Sequence, residues 1–190
     1  MRIITGSAKG RVLSTLPGEA TRPTAERAKQ AIFSMLQFDI EGRRVLDLFA
    51  GSGQMGLEAL SRGAASAVLV DKSRDAVAII QKNANTTRLA DRCTILCSDG
   101  IEYLRRARGA GFDIVFLDPP YASTLIKDAL ETLLRQGLLK TGSFLVCESN
   151  KEDIFEGDEA LKARFDIVKQ SRYGIAYVTI LMPVSLGGKD

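Results

Sequence analysis

Five short apolar runs, Val45–Phe49, Ala67–Val70, Cys93–Cys97, Ile114–Leu117 and Phe144–Cys147, recur through the chain with helical patterns between them. The intervening segments, near Gly53–Arg62, Arg74–Thr86, Gly100–Arg106 and Thr124–Arg135, carry apolar residues at the 3.6-residue period. Strands of this kind that alternate with helices form a mostly parallel sheet, buried on both faces. The pattern changes at the end. Phe165–Gln170 and Ala176–Met182 have no helix between them, and Tyr173-Gly174 reads as a hairpin turn, so the sheet is expected to finish with an antiparallel strand. Before the alternation, residues 2–5 and 11–16 read as short strands around Gly6–Gly10. Pro23 then precedes a helix with Thr24 placed to cap it, and Ala28, Ala31, Ile32 and Met35 on one face. The expectation is a doubly wound α/β domain over residues 41–190 with a hairpin-and-helix extension over residues 1–40.

Composition narrows the chemistry. The 190 residues hold a hydrophobic fraction of 45%, enough for a real core, and no apolar run long enough to span a bilayer. Three cysteines without metal spacing point to a reducing cytoplasm, where they read as small buried hydrophobes. With no histidine there is no Ser-His-Asp triad and little scope for zinc, so no metal is expected. Charge is uneven: the first 30 residues carry a net +4 and the remainder −1. A basic arm on a near-neutral body suits a polyanionic partner.

The segment Asp47-Leu48-Phe49-Ala50-Gly51-Ser52-Gly53 closes the first strand, where open α/β sheets bind ligands. Gly51, Gly53 and Gly56 match G-x-G-x-x-G, which a nicotinamide enzyme also carries. Asp47 argues against a pyrophosphate there, because its carboxylate suits a ligand with cationic groups, such as the ammonium and sulfonium of S-adenosylmethionine. Asp71 ends the second strand at a distance suited to two ribose hydroxyls, and Asp99 follows the third, where it can take an adenine amine. Each aspartate also reads as a helix cap.

After the fourth strand comes Asp118-Pro119-Pro120-Tyr121. Two prolines make a stiff corner, leaving the Asp118 side chain and the Pro119 carbonyl as acceptors and Tyr121 as a flat face. That set suits a planar base carrying an exocyclic amine, held for in-line attack on a methyl group.

These residues resemble the RsmD-type methyltransferases, which use S-adenosylmethionine to methylate the exocyclic N2 of a guanine in small-subunit ribosomal RNA. The likeness covers nearly the whole chain: Gly10-Arg11, Arg22-Pro23-Thr24, Arg27 and Ala31-Ile32-Phe33 in the arm, then Asp47–Gly53 with Gly56–Ala64, Asp118–Tyr121 and Arg172-Tyr173-Gly174. It implies that Asp47, Ala50, Gly51, Gly53, Asp71, Asp99 and Asp118 bind the cofactor. Asp118 to Tyr121 would hold a flipped guanine, and Arg11, Arg22, Thr24, Arg27 and Lys29 would face RNA. It further implies ribosomal RNA as the partner, free or in an assembly intermediate; a cytoplasmic monomer is expected. Asp71 stands where relatives often carry glutamate, while Gln54-Met55 and Gln30 are further departures. The rivals are an adenine-N6 or cytosine-N4 methyltransferase, a nicotinamide oxidoreductase, and a non-catalytic RNA-binding module.

Overall fold

The computed structural model describes residues 1–16, 23–120 and 124–184, with side chains from Glu26 onward in the first helix. Arg22, Tyr121 and the Thr24 side chain therefore lie outside the described residues. The chain runs α1 (Pro23–Met35), β1 (Arg44–Asp47), α2 (Gln54–Ser61), β2 (Ser66–Asp71), α3 (Arg74–Thr87), β3 (Cys93–Cys97) and α4 (Gly100–Arg106). It continues as β4 (Phe112–Leu117), α5 (Leu125–Arg135), β5 (Leu139–Ser149), α6 (Glu159–Lys162), β6 (Phe165–Tyr173) and β7 (Ala176–Pro183). One seven-stranded sheet results, in the order β3-β2-β1-β4-β5-β7-β6. The first five strands are mutually parallel, and β7 lies antiparallel between β5 and β6.

Strand alternation divides the core into two layers, because successive side chains point to opposite faces. On one face Val45, Leu69 and Phe116 pack beneath Phe33 of α1, Leu57 of α2 and Ile80 of α3. The Phe33 and Phe116 rings lie 5.7 Å apart, centroid to centroid. On the other face Leu46, Val115 and Leu145 meet Leu104 of α4, Leu130 and Leu133 of α5, and Phe155. All six residues of β4 are buried, as a central strand covered from both sides requires.

Among the described residues the arm has no core of its own: Ile3, Ala8, Leu13, Ala28, Ile32 and Phe33 join the first layer. Here the expected hairpin strands give way to a single Arg2–Val12 bridge. Three backbone hydrogen bonds join the two segments: Leu13 N–H to Met1 O and Gly10 N–H to Ile3 O at 2.9 Å, and Ile3 N–H to Arg11 O at 3.0 Å. The Ile4 and Thr5 N–H groups donate to the Glu58 carboxylate at 2.8 and 3.0 Å, and Ala8 N–H donates to Ser61 Oγ at 3.0 Å. Side chains of α2 thus take donors that the hairpin leaves without a backbone partner. Gly6 makes this docking possible. Its φ is +88°, and a Cβ built there would lie 1.8 Å from the Ser61 carbonyl oxygen. Gly6→Ala should therefore lower stability by about 3 kcal/mol, seen as a fall of roughly 10 °C in melting temperature. An unshifted melt would show that the arm docks elsewhere.

Three other expectations need correction. The first helix begins at Pro23 itself, so Thr24 lies within its first turn and not at the cap. β5 starts five residues early, at Leu139, through the polar Lys140–Gly142 stretch where its pairing with β4 shifts register. Cys147 is buried as expected, but Cys97 is exposed because β3 forms the edge of the sheet.

Candidate active site

Because β1 to β5 are parallel, their carboxyl ends open on one rim. The chain leaves β1 outward to β2 and β3, then returns to lay β4 and β5 on β1's other side. The loops after β1 and β4 consequently diverge, and a crevice forms between them. Asp47 sits opposite Phe116 in the ladder, and Leu48 N–H donates to the Phe116 carbonyl at 3.2 Å. This brings the glycine loop alongside the chain that leaves β4 as Asp118-Pro119. Asp71 and Asp99, at the ends of β2 and β3, stand on the same rim.

The loop is held by its own backbone and by one carboxylate. Ala50 N–H donates to Val70 O at 3.0 Å and Gly53 N–H to Ala50 O at 2.6 Å. Gly51 and Gly53 have φ of +52° and +76°, the left-handed region that glycine adopts without strain. Asp71 Oδ2 accepts from Gly51 N–H at 2.9 Å and Oδ1 from Ser73 N–H at 2.8 Å. Asp71 is thus a clamp on the loop, a role the sequence did not suggest. Each of its oxygens keeps a lone-pair site for a further donor. Asp99 caps α4 by accepting from Glu102 N–H at 3.0 Å, and stays exposed. Gly56 has a packing reason of its own, since a Cβ there would lie 3.0 Å from Leu69.

Asp47 differs from the other two. Its carboxylate is buried, with Oδ2 accepting from Gly56 N–H at 3.0 Å. Burial pushes its pKa from the ordinary 3.8 up to about 7; the Gly56 hydrogen bond opposes the rise and the Asp71 charge adds to it. A buried carboxyl so poised favours a cation beside it.

Asp118 and Pro120 are exposed on the rim, while Pro119 is buried and fixes the corner. Arg11 and Arg27 are exposed. They stand at different heights, however. Ser7 N–H donates to Ser61 O at the end of α2, so the Gly6–Gly10 turn lies at the amino ends of the strands. Arg62, just past α2, donates to Phe33 O at 3.4 Å, so α1 ends low and opens with Arg27 nearer the rim. Lys29 is a correction: its side chain is buried, 3.0 Å from Glu58 Oε2, and its ammonium donates to Arg2 O at 3.2 Å. Its charge is consumed within the protein. Arg105 and Arg106 pair with Glu102 at the end of α4, far below the rim. An open depression lined by Glu131, Arg135, Asp158 and Arg164 likewise lies at the amino ends of the strands.

Two buried polar side chains outside the expected site residues organise the region. Glu58, fully buried, accepts from Ile4 and Thr5 N–H, Lys29 and, at 2.8 Å, Arg62. Asn83 of α3 accepts from Ser14 N–H at 2.8 Å and donates to Ser14 O and Ser52 O, each at 2.9 Å, fastening arm to loop. The available signal was a polar residue at a core position of each helix.

Comparison with known proteins follows the same lines. The model of the family described as Conserved hypothetical protein 95 matches residues 1–182. Ribosomal RNA small subunit methyltransferase D of Escherichia coli K12 is 35% identical over 153 residues, 80% of this chain and 76% of that protein. Its counterpart in Haemophilus influenzae is 32% identical over 154 residues, covering 80% of each. Among solved structures, the Escherichia coli protein yhhF superposes with a TM-score of 0.83 at 30% identity over 96% of this chain and 97% of that one. With a family model spanning almost every residue and a relative 35% identical over 80% of the chain, this chain belongs to the RsmD family of methyltransferases.

Proposed function

We propose that this chain transfers a methyl group from S-adenosylmethionine to the exocyclic N2 amine of a guanine in small-subunit ribosomal RNA. The observation that carries the reading is the adjacency, at the switch point of the sheet, of a buried carboxyl (Asp47) under a glycine loop and the Asp118-Pro119 corner. The names of the relatives, ribosomal RNA small subunit methyltransferase D, supply the class of substrate.

The residues fit the cofactor. Gly51 and Gly53 bare the backbone for close approach, with Ala50 beside them. Asp71 keeps acceptor capacity for ribose hydroxyls, and Asp99 has one free for an adenine amine. Asp47 answers the cationic end. Bound there, S-adenosylmethionine supplies an electrophilic methyl group on a positively charged sulfur. On this reading Asp118 and the Pro119 carbonyl accept from the guanine amine and turn its lone pair toward the methyl carbon. Tyr121 offers a stacking face, and Pro119 and Pro120 keep the corner from yielding. The nitrogen sheds its proton as the new bond forms, so no strong base is needed. Proximity and alignment are the main source of rate. Arg11, Arg22, Thr24 and Arg27 form the RNA-facing part of the 1–40 extension, Arg27 standing nearer the rim than Arg11, and 41–190 is the methyltransferase body. A base inside a duplex must first be extruded to reach this corner, at a cost that an unpaired loop reduces.

Asp47 supplies the test. A cationic ligand binds the ionised carboxylate, so affinity for S-adenosylmethionine should rise about fivefold from pH 6 to pH 7, by at most about twofold more above that, and then flatten. Without ligand the sign reverses. The folded state holds the Asp47 proton more tightly than the unfolded chain does. Its contribution to stability is therefore full below about pH 4 and lost as pH climbs to about 7. Asp47→Asn should thus melt higher than wild type at pH 8, yet bind the cofactor weakly at every pH. Calorimetric titration and thermal melts check both arms, with NAD as the control ligand. Stabilisation by NAD instead would return the oxidoreductase reading.

A further inference from the structure

The Arg172-Tyr173-Gly174 turn has no part in the cofactor site or the amine-holding corner, yet the sheet carries it to the same rim. β7 is antiparallel to β5 and β6, so the β6–β7 turn lies at the carboxyl ends of the parallel strands. The ladder fixes the distance. Leu117, the last residue of β4, faces Cys147 of β5, and Ser149 faces Tyr177 of β7. Two strand spacings, about 10 Å, therefore separate Tyr177 from the Asp118 corner.

At this turn the Arg172 guanidinium lies over the Tyr177 ring, 5.4 Å from its centroid, and its Nε donates to Gly174 O at 3.0 Å. Arg172 is exposed and takes part in no ion pair among the described residues. Ile175, at the tip, is 60% exposed. The platform is rigid underneath: Tyr173 packs against the layer that holds Phe33, and Gln170 on the Arg172 side anchors Glu152 O at 2.7 Å. A guanidinium plane on an aromatic ring, beside an exposed apolar side chain and with its charge unneutralised, is a surface for unpaired nucleobases and their phosphates.

We infer that the β6–β7 tip, through Arg172, Tyr177 and Ile175, stacks unpaired nucleotides of the RNA that adjoin the modified one. The inference rests on the proposed reading of the substrate. It gives the RNA a second foothold on the side of the crevice where α1 packs against β6, next to the base offered to Asp118.

The test measures binding of an unmodified small-subunit rRNA transcript to the full chain, with cofactor affinity and melting temperature recorded for each variant. Arg172→Ala should weaken RNA binding about tenfold and leave S-adenosylmethionine affinity unchanged. Arg172→Lys keeps the charge but loses the plane, and should recover less than half of that loss. Tyr177→Leu should weaken binding without altering its salt dependence, since no charge is removed. RNA affinity within twofold of wild type for Arg172→Ala, in a chain that binds and methylates the transcript, overturns the tip alone. Full recovery by Arg172→Lys overturns the stacking and leaves a phosphate contact. If the wild-type chain has no affinity for the transcript, the substrate reading fails, and the tip with it. Should Tyr177→Leu not fold, the Arg172 pair still decides.

Discussion

Asp118→Ala is expected to reduce methyl transfer at least a hundredfold while S-adenosylmethionine affinity stays within about twofold of wild type. The split follows from position. Asp118 leaves β4 on the far side of the crevice from the glycine loop, and on the proposed mechanism its carboxylate orients the acceptor amine, an interaction that matters most as the nitrogen approaches the methyl carbon. Losing it removes alignment, and alignment is the largest source of rate the site has. Asp118→Asn keeps an acceptor oxygen and should retain more turnover than alanine. Single-turnover kinetics beside cofactor titration separate the two effects. Equal loss of affinity and turnover would move Asp118 into the cofactor site proper.

Glu58→Ala is expected to be the most destabilising single change, by about 3–5 kcal/mol. It leaves Lys29 buried without its ion-pair partner, and orphans the Ile4 and Thr5 N–H groups at once. The Lys29 pKa is already lowered by burial, against the pull of Glu58, so the lone lysine would tend to shed its proton instead of its place. Removing the charge as well, in a Lys29→Met/Glu58→Ala double variant, should recover less than half of the loss, because the backbone donors stay unpaired. Urea unfolding measures this. Full recovery would reduce Glu58 to a simple ion-pair partner. The arm's docking on α2 is the part most exposed to this change, so proteolysis within residues 1–16 should accelerate before the sheet opens.

Much of the fold was legible because its signals are local. Ile114–Leu117 of β4 is buried on both faces and reads as an unbroken apolar run, and α3 carries its apolar residues at the helical period. The antiparallel ending was legible from the turn at Tyr173-Gly174, though not that β7 inserts between β5 and β6; that depends on which strand edge remains open. The long-range partnerships were not legible. Nothing in the arm's sequence says that Glu58 and Ser61 accept its remaining N–H groups, since 53 or 54 residues separate the partners. Lys29 illustrates the cost. Its charge counts toward a basic arm until Glu58 is seen beside it. The aspartates were read as caps or as ligand contacts, and the structure shows that these roles are compatible. Asp99 caps α4 and Asp71 clamps the loop, each with lone pairs to spare.

The most direct measurement is to incubate the protein with methyl-labelled S-adenosylmethionine and unmodified small-subunit RNA, free and protein-assembled, beside a DNA control, then digest and analyse the nucleosides. Label in N2-methylguanosine is the predicted result. Label in methyladenosine or methylcytosine would contradict it, keeping the amine-holding corner but assigning it a different base.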